Sequence, residues 1–161
     1  MMEPVEIILL LGSALLIGGA IGLNRDAHGK PIGVRTLGLV GLASAIAVLA
    51  TTYAGTDPRA DAPSRVMQGV LTGIGFLGAG VIVRAKSLSR IQGLTSAASV
   101  WATACLGLVC GVAAWPVAAT GIVLVFLLLV FGGPIERIMH RWLGGESEKP
   151  PPQSPEKTHA Q

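Results

Sequence analysis

Four stretches of the chain carry no Asp, Glu, Lys, Arg or His: Ile7–Leu23, Thr36–Thr56, Val66–Val83 and Ile91–Pro134. Within them apolar residues recur without the strict alternation of a strand, and they surround a helix on every side. A bilayer core of ~30 Å needs about 20 helical residues, so uncharged apolar runs of this length read as membrane spans. The pattern predicts helices over about Val5–Leu23, Thr36–Tyr53 and Val66–Val83. The last stretch, Gly93–Phe131, is too long for a single span, because a helix of that length would measure ~60 Å. It must fold back on itself, and Gly111 with Trp115-Pro116 offers the break. A Trp beside that break also suits the membrane interface. The fold class is therefore all-α: a polytopic transmembrane helix bundle of five spans.

Polar segments separate the spans. Asn24–Arg35 contains Gly29, Pro31 and Gly33, and Gly55–Arg65 contains Pro58 and Pro63, all of which interrupt helices. The Lys and Arg residues sort by side. Arg25, Lys30, Arg35, Arg84, Lys86, Arg90, Arg137 and Arg141 fall on one face of the membrane, and Arg59 and Arg65 on the other. Cytoplasmic loops carry the excess of basic residues, which puts the N-terminus outside and the C-terminus in the cytoplasm. The first span lacks the basic flank and short apolar core of a cleaved signal peptide, since Glu3 and Glu6 precede it. The expected organisation is a membrane domain over 1–133, a short segment over 134–143, and a Pro-rich disordered cytoplasmic tail over 144–161. In the middle segment, Ile135, Ile138, Met139, Trp142 and Leu143 recur at helical spacing opposite Arg137, His140 and Arg141. That suits either an amphipathic helix in the interface or a plain extension of the fifth span.

Composition narrows the function. Only 13% of the 161 residues are charged and 51% are hydrophobic, half the charge of an ordinary soluble domain. A soluble enzyme is excluded. The net charge of +3 reflects membrane orientation rather than a nucleic-acid partner, because an aromatic content of 4% leaves no stacking surface. Cys105 and Cys110 lie five residues apart on one predicted helix and face in different directions, so two free thiols are expected. No Ser-His-Asp set or metal-ligand cluster is present in the spans, and no cofactor is implied. The reading is non-enzymatic.

Two constellations remain. Glycine is abundant, 22 residues in all, and much of it falls at helical spacing. Gly18 and Gly22, Gly69 and Gly73, and Gly107 and Gly111 each form GxxxG, and the third span adds Gly75, Gly78 and Gly80. Small residues let helices approach closely in lipid. Tight packing within the chain, a face for a second copy, and local unwinding of the third span are all open from sequence. Gln68 and Thr72, at i and i+4, are the most polar pair inside a span and suit interhelical hydrogen bonds. The second constellation is a polar cluster at the cytoplasmic interface: Asn24, Arg25 and Asp26 end the first span, Arg35 and Thr36 open the second, Arg84 ends the third, and Thr95 opens the fourth. Asp26 offers an ion pair there that a pure orientation signal would not need.

The same stretches resemble the membrane domain of the MgtC/SapB family. The likeness is carried by Ile21-Gly22-Leu23-Asn24-Arg25-Asp26, Gly33-Val34-Arg35-Thr36, Gly73-Ile74-Gly75-Phe76-Leu77-Gly78-Ala79-Gly80 and Gly93-Leu94-Thr95-Ser96-Ala97-Ala98, with Trp101 following. Four blocks in order are a specific match across about residues 6–130. Where family members often carry Glu-Arg-Glu, this chain has Asn24-Arg25-Asp26. It is similar to the short forms that lack an appended soluble domain. The resemblance implies a multi-pass protein of the bacterial plasma (inner) membrane, linked to growth in low magnesium and survival inside host phagocytes. It implies action on another integral membrane complex, the F-type ATP synthase being the partner associated with the family. Transport of magnesium or another small ion is the alternative, although a hard divalent cation wants oxygen ligands that usually include carboxylates.

Overall fold

The computed structural model describes residues 2–53, 61–83 and 93–142. Five helices account for nearly all of them: α1 (Pro4–Ala27), α2 (Val34–Tyr53), α3 (Ala62–Val83), α4 (Leu94–Gly111) and α5 (Trp115–Trp142). All five are long and apolar enough to cross a membrane. Arg59, Arg84, Lys86, Arg90, Leu143 and the tail from Gly144 lie outside the described residues.

The helix ends differ from the sequence expectation in an instructive way. α1 runs one turn past the apolar stretch and takes Asn24, Arg25 and Asp26 into its last turn. Charge ends a hydrophobic run, but it does not end a helix. What ends α1 is the turn at His28–Lys30: the N–H groups of His28 and Lys30 bond the Arg25 carbonyl, that of Gly29 bonds the Asp26 carbonyl, and Gly29 takes φ +61°. α3 likewise starts ahead of its apolar run, with Pro63 in its first turn, where the missing N–H has no intrahelical partner to lose. α5 continues through Pro134 to Trp142 as a single element.

The α4–α5 break falls where expected, but a different residue makes it. Gly111 is the last residue of α4, and the left-handed conformation belongs to Ala113, at φ +58°. The N–H groups of Ala113 and Ala114 bond the carbonyls of Cys110 and Val109, which closes the end of α4. Gly111 is needed for packing instead, as described next.

The core is built by α1, α2 and α4; α5 packs mainly on α4, and α3 packs on α4 and more lightly on α2. Hydrophobicity cannot mark the buried face of a helix that is apolar all round, so residue size marks it. On α1 the buried stripe is Leu10, Ala14, Gly18, Ile21, Gly22 and Arg25, one or two residues per turn. On α2 it is Leu37, Gly38, Gly41, Ser44, Ala45, Val48 and Leu49. A Cβ on Gly18 would run into the carbonyl of Leu37, and one on Gly22 into the backbone of Val34. A Cβ on Gly41 would lie 2.6 Å from the Ala14 oxygen. α1 and α2 thus cross backbone to backbone in antiparallel fashion. α4 then lies parallel to α2 with the same intimacy: a Cβ on Gly107 would meet the carbonyl of Gly41, and one on Gly111 would lie 2.8 Å from the Ala45 oxygen. Both cysteines on α4 are free thiols, Cys110 fully buried and Cys105 partly so.

Candidate functional site

The end of the bundle where α1 stops and α2 and α4 start holds the polar residues singled out by sequence. Arg25 is the central one. Its side chain is only 4% exposed, and its guanidinium donates to the Ser96 hydroxyl, 71 positions away in the chain. Ser96 is the third residue of α4, and it is buried too. The Arg25 Nε has no hydrogen-bond partner. Ser96 was absent from the sequence-derived cluster, which chose its neighbour Thr95. Thr95 is exposed, and its carbonyl accepts from the Ser99 hydroxyl at 2.7 Å. Helical phase would have chosen between them, because Ser96, Ser99 and Thr103 share the face of α4 that continues into Gly107 and Gly111.

Asp26 sits one residue on and points elsewhere. Its carboxylate accepts the N–H of Val34, the first residue of α2, at 2.9 Å. Among the described residues this backbone amide, not an arginine, is its partner. The carboxylate therefore caps α2 from the end of α1, satisfying one of the four amides that a helix start leaves free and opposing the positive end of its dipole. Gly33 is required beside it, since a Cβ there would occupy the space of the carboxylate. Arg35 and Thr36 are exposed on the first turn of α2. Asn24 is half-buried, and its carbonyl accepts from His28 Nδ1 at 2.7 Å. The expected cluster thus separates into a buried Arg25–Ser96 pair, an Asp26–Val34 cap, and exposed flanks.

The glycines also divide. Gly18 and Gly22 lie at the α1–α2 crossing. On α3, Gly69, Gly73, Gly75 and Gly80 have open space where a Cβ would stand, and Gly78 makes only ordinary contact with Ala97 at 3.7 Å. Tight packing within the chain is therefore not what the α3 glycines serve. Local unwinding is absent as well, because α3 is a continuous helix. Gln68, Gly69, Thr72, Gly73, Gly75, Phe76, Ala79 and Gly80 fall within an arc of about 160° at 100° per residue. All of them are exposed, Phe76 by 82%. Gln68 and Thr72 thus point away from the bundle rather than toward a neighbouring helix of the same chain.

The remaining buried polar side chains, Ser44, Ser99 and Thr103, return their hydroxyls to the carbonyls of Val40, Thr95 and Ser99 on their own helices. Such local bonds satisfy hydroxyls in an apolar interior without a partner helix. A surface groove on α5, lined by Ile122, Val123, Phe126, Leu127, Val130 and Phe131, is apolar throughout. Among the described residues no group of three or more His, Cys, Asp or Glu side chains is placed to hold a metal ion.

Comparison with known proteins gives a consistent answer. The MgtC family profile matches residues 11–138. The protein SrpB of Synechococcus elongatus is 40% identical over 139 residues, covering 81% of this chain and 75% of SrpB. YhiD of Escherichia coli K12 is 38% identical over 144 residues, covering 84% of this chain, and the protein MgtC of Salmonella typhimurium is 34% identical over 143 residues, covering 88%. The aligned region spans 65% of YhiD and 59% of MgtC, less than two thirds of either. No solved structure matches significantly. With the profile covering most of the chain, which has five helices apolar enough to span a membrane, and with relatives of 34–40% identity covering 81–88% of it, the protein belongs to the MgtC family of membrane proteins.

Proposed function

We propose that the chain is a non-enzymatic protein of the bacterial inner membrane that acts by laying α3 against another integral membrane complex. The reading has the N-terminus outside and the C-terminus in the cytoplasm, as the distribution of Lys and Arg favours. The observation that carries it is the outward face of α3. A helix that presents five small residues and two hydrogen-bonding side chains to lipid is built for close approach by another helix, because lipid gives no hydrophobic drive and association rests on packing and polar contacts. By family resemblance the client is the F-type ATP synthase, and the physiological setting is adaptation to low magnesium or survival in a host.

The test is affinity purification from native membranes in mild detergent, comparing wild type with Gly75→Leu and Gln68→Leu. Both substitutions lie where α3 has open space or exposure, so the monomer is expected to fold normally. Recovery of a stoichiometric membrane complex by wild type, reduced at least tenfold by the variants, supports the reading and names the client. Recovery of only a second copy makes α3 a homo-oligomer face. Equal recovery by all three proteins refutes a role for α3.

The second reading is transport of magnesium or another small ion. YhiD, at 38% identity, carries a name that provisionally assigns it to magnesium transport. The chemistry of this chain offers that reading little support. Among the described residues the buried polar side chains are Arg25, Ser44, Ser96, Ser99 and Thr103, a cation and four hydroxyls, whereas a hard divalent cation favours carboxylate oxygens. Magnesium flux into liposomes holding the purified protein, above that of empty liposomes, would reverse this preference.

A further inference from the structure

Among the described residues no carboxylate pairs with the buried Arg25 guanidinium. An arginine stays protonated in any protein environment, and an ion held out of water is costly unless it is paired. Among the described residues its hydrogen-bond partner is Ser96, which is neutral, and its Nε has none. The sequence offers few candidates to supply an anion. No Asp or Glu occurs over Ala27–Thr56 or over Ala62–Ile135. Of the carboxylates on the helices that end or begin here, Asp26 is committed to the Val34 amide, and Glu136 is exposed on α5. The carbonyl end of the α1 helix gives little relief, since the Arg25 and Asp26 carbonyls already accept from the turn that follows.

Arg25 is, moreover, directed at a second centre of positive potential. Ser96 lies in the first turn of α4, an 18-residue helix whose N-cap, Gly93, has φ +93° and supplies no side-chain acceptor. The first intrahelical bond runs from the Ala97 N–H to the Gly93 carbonyl at 2.8 Å, so the amides of Leu94, Thr95 and Ser96 precede it. Leu94 and Thr95 are exposed, which leaves this turn approachable from outside. Helix N-termini attract anions through free amides and the helix dipole, and a guanidinium strengthens that attraction. A buried cation fixed against a helix start that has no side-chain cap among the described residues is an arrangement that an anion completes.

We infer that the first turn of α4, with Arg25 behind it, is a binding site for a phosphate-type anion, either a lipid headgroup or free phosphate. Tetrahedral oxyanions match a helix start backed by a guanidinium, and the end of the bundle is where phospholipid headgroups lie. The inference is independent of the α3 reading.

The test uses the full chain purified in a non-ionic detergent, with thermal unfolding followed by tryptophan fluorescence. One series titrates inorganic phosphate against chloride at matched ionic strength. The other titrates short-chain phosphatidylglycerol against the corresponding diacylglycerol. The expected result is a saturable rise in Tm of about 5 °C, the size that tight binding to the native state gives a chain of this length. A rise in both series means free phosphate suffices, and a rise with lipid alone assigns the site to a headgroup. Arg25→Gln abolishes the rise, and Lys30→Gln, an exposed charge at the same end, keeps it. If Arg25→Gln does not fold, Ser96→Ala serves instead, with the titration midpoint weakened at least tenfold. No saturable rise in either series overturns the site, as does a rise that persists in Arg25→Gln, a midpoint that Ser96→Ala leaves unchanged, or a rise lost equally in Lys30→Gln.

Discussion

The sharpest test of the packing argument is to add one methyl group at two glycines that look alike in sequence. Gly41 on α2 stands between α1 and α4: a Cβ there would lie 2.6 Å from the Ala14 carbonyl oxygen and 3.5 Å from Thr103 Cγ2. Ordinary contact begins at 3.4 Å, so the methyl is about 0.8 Å too close to α1. The obstacle is backbone, which cannot rotate aside, so α1 and α2 must move apart along their whole crossing. A radial gap of 0.5–1 Å already forfeits roughly a quarter to a half of each dispersion contact. Overpacking of this kind costs about 1–3 kcal/mol, and Ala offsets up to ~1 kcal/mol of it through better helix propensity. Gly41→Ala is therefore expected to destabilise by about 1–2 kcal/mol, or ~2–8 °C in Tm for a chain of this size. Gly75→Ala on α3 meets nothing within 4 Å and retains only the propensity gain, so its Tm should stay level or rise. Thermal unfolding of both variants in one detergent decides the matter. Equal losses, or a larger loss at Gly75, would refute the assignment of α1, α2 and α4 as the packed core.

Three further outcomes follow from individual contacts. Asp26→Ala should lose about 1 kcal/mol as the α2 cap disappears, whereas Asp26→Asn keeps an oxygen for the Val34 amide and should lose much less; equal losses would show that charge, not capping, matters. Ala113→Gly should raise Tm by a few degrees, because it relieves a left-handed residue costing about 1–2 kcal/mol, and no change would mean the turn carries no strain. Ser96→Ala should destabilise by about 1–3 kcal/mol, more than Ser64→Ala at the exposed start of α3, since it strips a buried guanidinium of its hydrogen-bond partner.

Charge-free runs reveal where spans lie because the bilayer penalises any interruption, so five helices could be read directly from sequence. Helix ends were less visible: Asn24, Arg25 and Asp26 break the apolar pattern while remaining inside α1. Pairing was hidden for a different reason. Arg25 and Ser96 are 71 residues apart, and although the phase of Ser96 with Gly107 and Gly111 marks one face of α4, nothing in the sequence says which helix that face meets. The same limit blurred the glycines. Gly18-x-x-x-Gly22 and Gly69-x-x-x-Gly73 are one motif in sequence, yet the first meets a neighbouring backbone and the second meets open space. Only the third dimension distinguishes a filled groove from a waiting one. Three of the four sequence blocks gain a physical reason from the same contacts. Gly22 admits the α2 start, Gly33 makes room for Asp26, and Gly93 begins the helix that brings Ser96 to Arg25.

The parallel pairing of α2 with α4 also sets an order of events during synthesis. α4 fills a seam along Gly41 and Ala45 that is complete in shape once α2 has been inserted, yet α4 is made only after α3. A nascent chain that has reached Val83 thus carries an empty slot walled by α1 and α2, with α3 unable to supply the backbone-deep fit of Gly107 and Gly111. For that interval the slot is open to any passing helix with small residues at the same spacing. Insertion of the fourth span is therefore what closes the packed core.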